Sequence, residues 1–166
     1  GIAVMIGCES NQQKFDVQGH RGCRGFMPEN SIPAFLKAVD LGVTTIELDV
    51  VMSADGEVIV SHEAILNPAI CLNPQGARIS PREVYNLYQM SYDSIAKCDC
   101  GSIGHGDFPD QTKMAVSKPR LVDAIRAVVK HCKSQGIEVP NFNVEIKAQA
   151  KYVFLYHPAI SVFVDE

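Results

Sequence analysis

The chain has 166 residues, of which 46% are hydrophobic and 20% charged; this suits one soluble globular domain and excludes a disordered or fibrous chain. A formal charge of -4 at neutral pH argues against nucleic acid or an anionic membrane as the main partner, because phosphate-rich surfaces select basic faces. Any phosphate bound here is bound locally.

Residues 1–14 read as a tail. "GIAVMIGCESNQQ" is an apolar run that ends in Gly7-Cys8 and switches abruptly to polar residues, which resembles the end of a bacterial lipoprotein signal. The competing reading is a frayed apolar N-terminus. The run is too short to span a membrane, and no other segment approaches that length.

The β-prone "FDVQ" (15–18) predicts a strand that stops at Gly19 and delivers His20 at its C-terminal end. Asn30 is the expected helix cap, with Pro33 in the first turn, Phe35, Ala38, Val39 and Leu41 on one face and Gly42 as the stop. "VTTIELDVVM" (43–52) is a β-branched strand, turned by "SADG" into a second strand, "EVIVS", that runs into His62. Residues 63–117 read as an elaborated, turn-rich loop region around a helix from about Pro81 to Met90. Helical periodicity returns in "KPRLVDAIRAVVKHCKSQG", where Leu121, Ile125, Val128, Val129 and Cys132 form a stripe and Gly136 ends it. "NFNVEIKA" (141–148) is the next strand.

Six cysteines without a C-x-x-C pair argue against zinc or thioredoxin-like chemistry. Free or structural thiols are the first reading, and a disulfide in the 71–100 region is the alternative. The alternation of strands and helices predicts an α/β fold with a parallel sheet covered by helices. Three main strands do not close a barrel, so the elements alone leave two architectures: a small open sheet, or the N-terminal half of a (β/α)8 barrel.

Glu47 and Asp49 are two apart in a strand and therefore share a face. Ile46, Leu48, Val50 and Val51 make the other face apolar too, and a parallel strand is normally covered on both sides, so buried paired carboxylates there need a cation. Glu145 and Lys147 repeat the spacing on the last strand, with Val144 and Ile146 opposite; taken alone they read as a salt bridge. Three inward carboxylates from two strands instead suit a hard divalent cation. His20 and His62 each follow a strand directly, which places both at the C-terminal edge of the sheet, where ligands bind in α/β folds. His105, His131 and His157 read as surface residues.

"GHRG" followed by "PENS", then "ELDVVMSADGEVIVSHE" and "VEIK", in that order from about residue 15 onward, resembles the glycerophosphodiester phosphodiesterase family. The resemblance implies that residues 15–166 are the N-terminal part of a (β/α)8 TIM-type barrel that hydrolyses glycerophosphodiesters to glycerol 3-phosphate and an alcohol. It implies one divalent cation, Ca²⁺ or Mg²⁺, held by Glu47, Asp49 and Glu145. His20 and His62 would then be the general acid and base, in either assignment, and Arg21 and Lys147 would contact the substrate phosphate. Glu29 has two readings, a metal-site contact or a helix cap. Two departures from the family pattern, His62-Glu63 where His-Asp is usual and "NPAICLNPQGARIS" in place of an Arg-Thr-Thr run, bear on substrate choice.

Two other functions remain open beside this one: a non-catalytic phosphodiester-binding surface module, and a related phospholipid headgroup phosphodiesterase. The lipoprotein-like start implies a periplasmic or cell-envelope location with a lipid anchor at Cys8, the alternative being the cytoplasm. The barrel resemblance also implies that the natural chain continues by roughly 100 residues, beginning with a helix from about Pro158.

Overall fold

The computed structural model describes residues 15–148, 152–159 and 161–162. The lipoprotein-like start with Cys8 lies outside the described residues, as does most of the helix expected from about Pro158. Strand β1 (Gln18–Gly19) leads through a tight loop into helix α1 (Ile32–Asp40), then into strand β2 (Thr45–Met52) and its hairpin partner β3 (Val58–Val60). The long connection that follows holds only a 3-10 turn (Leu87–Gln89) and the short helix α2 (Tyr92–Ile95), before helix α3 (Leu121–Gln135) and strand β4 (Asn141–Ile146). Among the described residues no helix is long and apolar enough to cross a membrane.

β2 is the axis of a mixed four-stranded sheet. β1 pairs with its start in parallel and β3 pairs antiparallel with its end, while β4 runs parallel along Thr45 to Val50. Thr45 and Ile46 are paired to β1 and β4 at once, so these two strands occupy opposite edges of β2. The sheet is open.

Period two sorts β2 between two cores. Ile46, Leu48 and Val50 pack with Phe35 and Val39 of α1 and Ala124, Val128 and Cys132 of α3. Val51 turns the other way, onto the face of Glu47 and Asp49, and packs with Ile59, Leu66, Leu87 and Ile95 from the long connection. The sequence expectation grouped Val51 with the opposite face; strict alternation separates them. Gly136 ends α3 in the left-handed conformation at φ 66, as its position predicts.

Three local expectations need correction. Ser31, not Asn30, caps α1: its side chain accepts a hydrogen bond from Ala34 N. No helix forms at Pro81–Met90; Asn86 instead caps the 3-10 turn through Tyr88 N, and an Asx side chain that competes for backbone donors opposes a continuous helix. Cys71 and Cys100 form a disulfide, leaving Cys23, Cys98 and Cys132 free among the described cysteines.

Candidate active site

The loop after β1 is shaped by two glycines. A Cβ at Gly19 would collide with the carbonyl of Gly22, and one at Gly22, which sits at φ +87, would collide with the Ala34 backbone. This packing brings the loop hard against α1 and holds Arg21 at φ 50, an unfavourable conformation for a residue with a side chain. Two hydrogen bonds hold it there. Arg21 N donates to Glu47 Oε2 at 2.8 Å, and Asn30 N donates to the Arg21 carbonyl at 3.0 Å.

The strand register assembles the carboxylates. β4 aligns with β2 so that Asp49 faces Glu145 and Glu47 faces Asn143, and side chains directly opposite in a ladder are neighbours. One oxygen from each of Glu47, Asp49 and Glu145 lies within 4.8 Å of the others. Their environments differ: Asp49 is 1% exposed, Glu47 is half-buried and Glu145 is exposed. All three supply hard oxygen donors, the set that suits Ca²⁺ or Mg²⁺.

Cations and donors surround this cluster. Lys147 Nζ lies 3.0 Å from Asp49 Oδ1 and 2.6 Å from Glu145 Oε1, and Asn30 donates to Asp49 Oδ2 at 2.9 Å. Burial pushes the Asp49 carboxyl up, but the Asn30 hydrogen bond and the Lys147 ammonium outweigh it and hold the group below its ordinary value. Burial likewise works against the Lys147 ammonium, and the hydrogen bonds to Glu145 and Asp49 leave it raised.

His20 is largely exposed at the rim, with Nε2 3.9 Å from Glu47 Oε2. His62 sits at the end of the β3 segment, its Nδ1 3.2 Å from Glu63 Oε1. It lines a cleft of ≈ 630 Å³ with Glu63, Glu145, Lys147, Tyr152 and Tyr156. Arg21 is 9% exposed: its Nη1 pairs with Glu29 at 2.9 Å and its Nε lies 3.5 Å from Asp49. The structure thus brings together all seven predicted site residues at one end of the sheet.

Glu29 pairs with Arg21, with Arg24 at 3.3 Å, and with His105 at 3.9 Å, and does not belong to the carboxylate cluster. None of the three histidines expected on the surface is fully exposed. His157 is 2% exposed, His105 is half-buried, edge-on to Phe108, and His131 is half-buried with Nε2 2.6 Å from Asp40 Oδ1. Arg24 in turn lies over the Phe108 ring at 4.4 Å. Asn30 is a further residue of the site, bonded to Asp49, and its signal in the sequence is a polar residue inside "PENS" that also suits a helix cap. The Cys23 thiol beside the loop is pushed up to about 11 by burial, which leaves it a poor nucleophile.

This arrangement sets carboxylates, histidines and cations together at one end of an open α/β sheet. A sequence model of the glycerophosphoryl diester phosphodiesterase family matches residues 20–165, and the chain belongs to that family. It is 30% identical over 122 residues to the Bacillus subtilis protein YqiK, covering 74% of this chain and 44% of that one. With the Bacillus subtilis glycerophosphodiester phosphodiesterase the identity is 26% over 136 residues, 80% of this chain and 40% of the relative. A glycerophosphoryl diester phosphodiesterase structure from Silicibacter pomeroyi superposes with a TM-score of 0.72 at 30% identity, over 82% of this chain and 46% of that one. The chain therefore spans less than half the length of these relatives. Its open sheet is part of the TIM-type barrel of the family.

Proposed function

We propose that the protein hydrolyses glycerophosphodiesters to glycerol 3-phosphate and an alcohol, with a divalent cation held by Glu47, Asp49 and Glu145. The observation that carries this reading is the meeting of those three carboxylates with His20, His62, Arg21 and Lys147 at one end of the sheet. The donor set fits such an ion: three oxygen ligands from two adjacent strands, one of them buried. When bound, the cation would supply charge stabilisation at the phosphoryl oxygens.

The residues of the chain divide the remaining work. Lys147, whose ammonium lies between Asp49 and Glu145, and Arg21, beside Asp49, place positive charge where negative charge grows on the phosphate. In the reaction an oxygen nucleophile, either water or the neighbouring glycerol hydroxyl, gives up its proton to one histidine as its oxygen bonds to phosphorus. The bond from phosphorus to the headgroup oxygen breaks, and the other histidine protonates that leaving oxygen. If the glycerol hydroxyl attacks first, water opens the resulting cyclic phosphate with the two histidines exchanging roles. Either route consumes one water and releases one alcohol.

The test is turnover of glycerophosphocholine and glycerophosphoglycerol by the full-length protein, followed as glycerol 3-phosphate released, with and without EDTA. Turnover that chelation abolishes and Ca²⁺ or Mg²⁺ restores is expected. Hydrolysis unaffected by thorough chelation removes the cation from the mechanism, and no turnover of any glycerophosphodiester overturns the substrate class. We also propose an oxidising, envelope-side location with a lipid at Cys8. The Cys71–Cys100 disulfide supports the compartment, and mass spectrometry of Cys8 in protein made with its natural N-terminus tests the anchor.

A further inference from the structure

A second group of charges lies behind His62, outside the carboxylate cluster. Ile59 and Arg120 form an antiparallel bridge, and Val60 N donates to the Pro119 carbonyl at 2.9 Å. Continuing that register by two residues sets Lys118 across from Ser61, beside His62 and Glu63. Lys118 is 5% exposed, and among the described residues its ammonium makes no hydrogen bond or close ion pair. A buried ammonium is costly without negative charge nearby. Burial pushes the Lys118 ammonium toward its neutral form, and the carboxylates of Glu63 and then Glu29 oppose that.

Glu63 is placed to use that charge. Ser61 Oγ donates to the Glu63 carbonyl at 2.7 Å and fixes its backbone. One carboxylate oxygen, Oε1, lies 3.2 Å from His62 Nδ1. The other, Oε2, is buried without a hydrogen-bond partner. A carboxylate with one oxygen on an imidazole and the other turned inward is favoured by a cation behind it, and Lys118 is the buried cation there.

We infer that Glu63, supported by the buried charge of Lys118, is a positioning residue: it accepts a hydrogen bond from His62 Nδ1–H and so presents Nε2 to the substrate cleft. This inference rests on the phosphodiesterase reading for its kinetic consequence. A ring whose one nitrogen is tied to a carboxylate has its tautomer and rotation set by that bond. Lys118 touches neither His62 nor the carboxylate cluster at hydrogen-bond distance, and Glu63 is the carboxylate that weighs most on its charge.

The experiment uses the full-length protein and the glycerophosphodiester that the wild type hydrolyses. Glu63→Gln, Lys118→Met, the double variant and Lys118→Arg are compared for kcat, KM and thermal midpoint. Glu63→Gln is expected to lower kcat about ten- to a hundredfold, within the usual contribution of a general acid or base, with KM changed by less than about threefold. Lys118→Met should lower kcat less, Lys118→Arg should restore it, and the double variant should be no slower than Glu63→Gln, because both act on one ring. A kcat for Glu63→Gln within about twofold of wild type, or losses that multiply in the double variant, overturns the inference. Should Lys118→Met not fold, Glu63→Gln alone decides, since its side chain is partly exposed. Nitrogen NMR of the His62 ring separates the two readings without turnover. An Nδ1-protonated ring in the wild type that changes tautomer in Glu63→Gln supports the positioning role even if no substrate is hydrolysed, and a ring unaltered by the substitution refutes it.

Discussion

β2 and β4 are neighbouring parallel strands of similar sequence, yet one is buried along nearly its whole length and the other is mostly exposed. Both alternate apolar residues with carboxylates or amides, "TIELDVVM" against "NFNVEI". β2 has α1 and α3 on one face and the disulfide-tied connection on the other. β4 has β2 on one edge, and its Val144 and Ile146 line an apolar groove with Val58, Leu121 and Ile125. Burial is therefore a property of what packs against a strand, and it sets the character of each acid: Asp49 is locked between Asn30 and Lys147, whereas Glu145 lies in the open.

The sharpest test of that contrast is Asp49→Asn against Glu145→Gln. Asp49→Asn should lower kcat/KM by roughly a thousandfold, because it removes a buried charge that Lys147 uses and that the proposed cation would use. Glu145→Gln should lose on the order of tenfold to a hundredfold, since an exposed ligand is more readily replaced by water. Equal losses would mean that burial does not rank these carboxylates. His20→Ala should also abolish turnover, by about a hundredfold or more, while binding of glycerophosphodiester in an equilibrium assay stays within a few-fold.

The connection that covers β2 provides the next test. Removing the Cys71–Cys100 cross-link by replacing both residues with Ser should cost about 3–4 kcal/mol, from the loop entropy that a tie across 29 residues takes from the unfolded chain. Denaturant unfolding reads this directly, and an unchanged midpoint would show that the hydrophobic cluster around Leu87 and Ile95 holds that cover alone.

The smallest effect concerns Asp99, next to the disulfide. Burial pushes its carboxyl up, but hydrogen bonds from Ser102, Gly101 and Val116 outweigh this and lower it below its ordinary value. A depressed folded value means that the stabilisation is present above the unfolded value near 4 and is lost as pH falls below it through the folded value. Asp99→Asn should therefore cost roughly 1 kcal/mol at neutral pH and flatten the acid limb of a plot of stability against pH. A parallel acid limb in the variant would place that titration elsewhere.

Much of the site was legible in the chain because it depends on short-range geometry. Period two puts Glu47 with Asp49 and Glu145 with Lys147 whatever the fold, and a strand followed at once by a histidine places that histidine at a strand end. Glu29 and Asn30 were not legible in the same way: the sequence offers Asn30 as a helix cap and Glu29 as a metal-site contact or a cap, but the turn from Arg21 to Ser31 sends Glu29 to Arg21 and Arg24 and Asn30 to Asp49. His105 and His157 were misjudged because burial of a loop residue depends on distant segments. His105 is held against Phe108 and near Glu29, which lies far away in the chain.

By itself the sequence determined the strand and helix alternation, the shared face of Glu47 and Asp49 and the glycine stops after α1 and α3, since these follow from side-chain direction and glycine conformation within a few residues. Only the tertiary structure decided the pairing of Asp49 with Glu145, the Cys71–Cys100 bond and the burial of Lys118 on the segment bridged to β3. Those depend on strand register and loop closure between segments far apart in the chain, which no local propensity encodes.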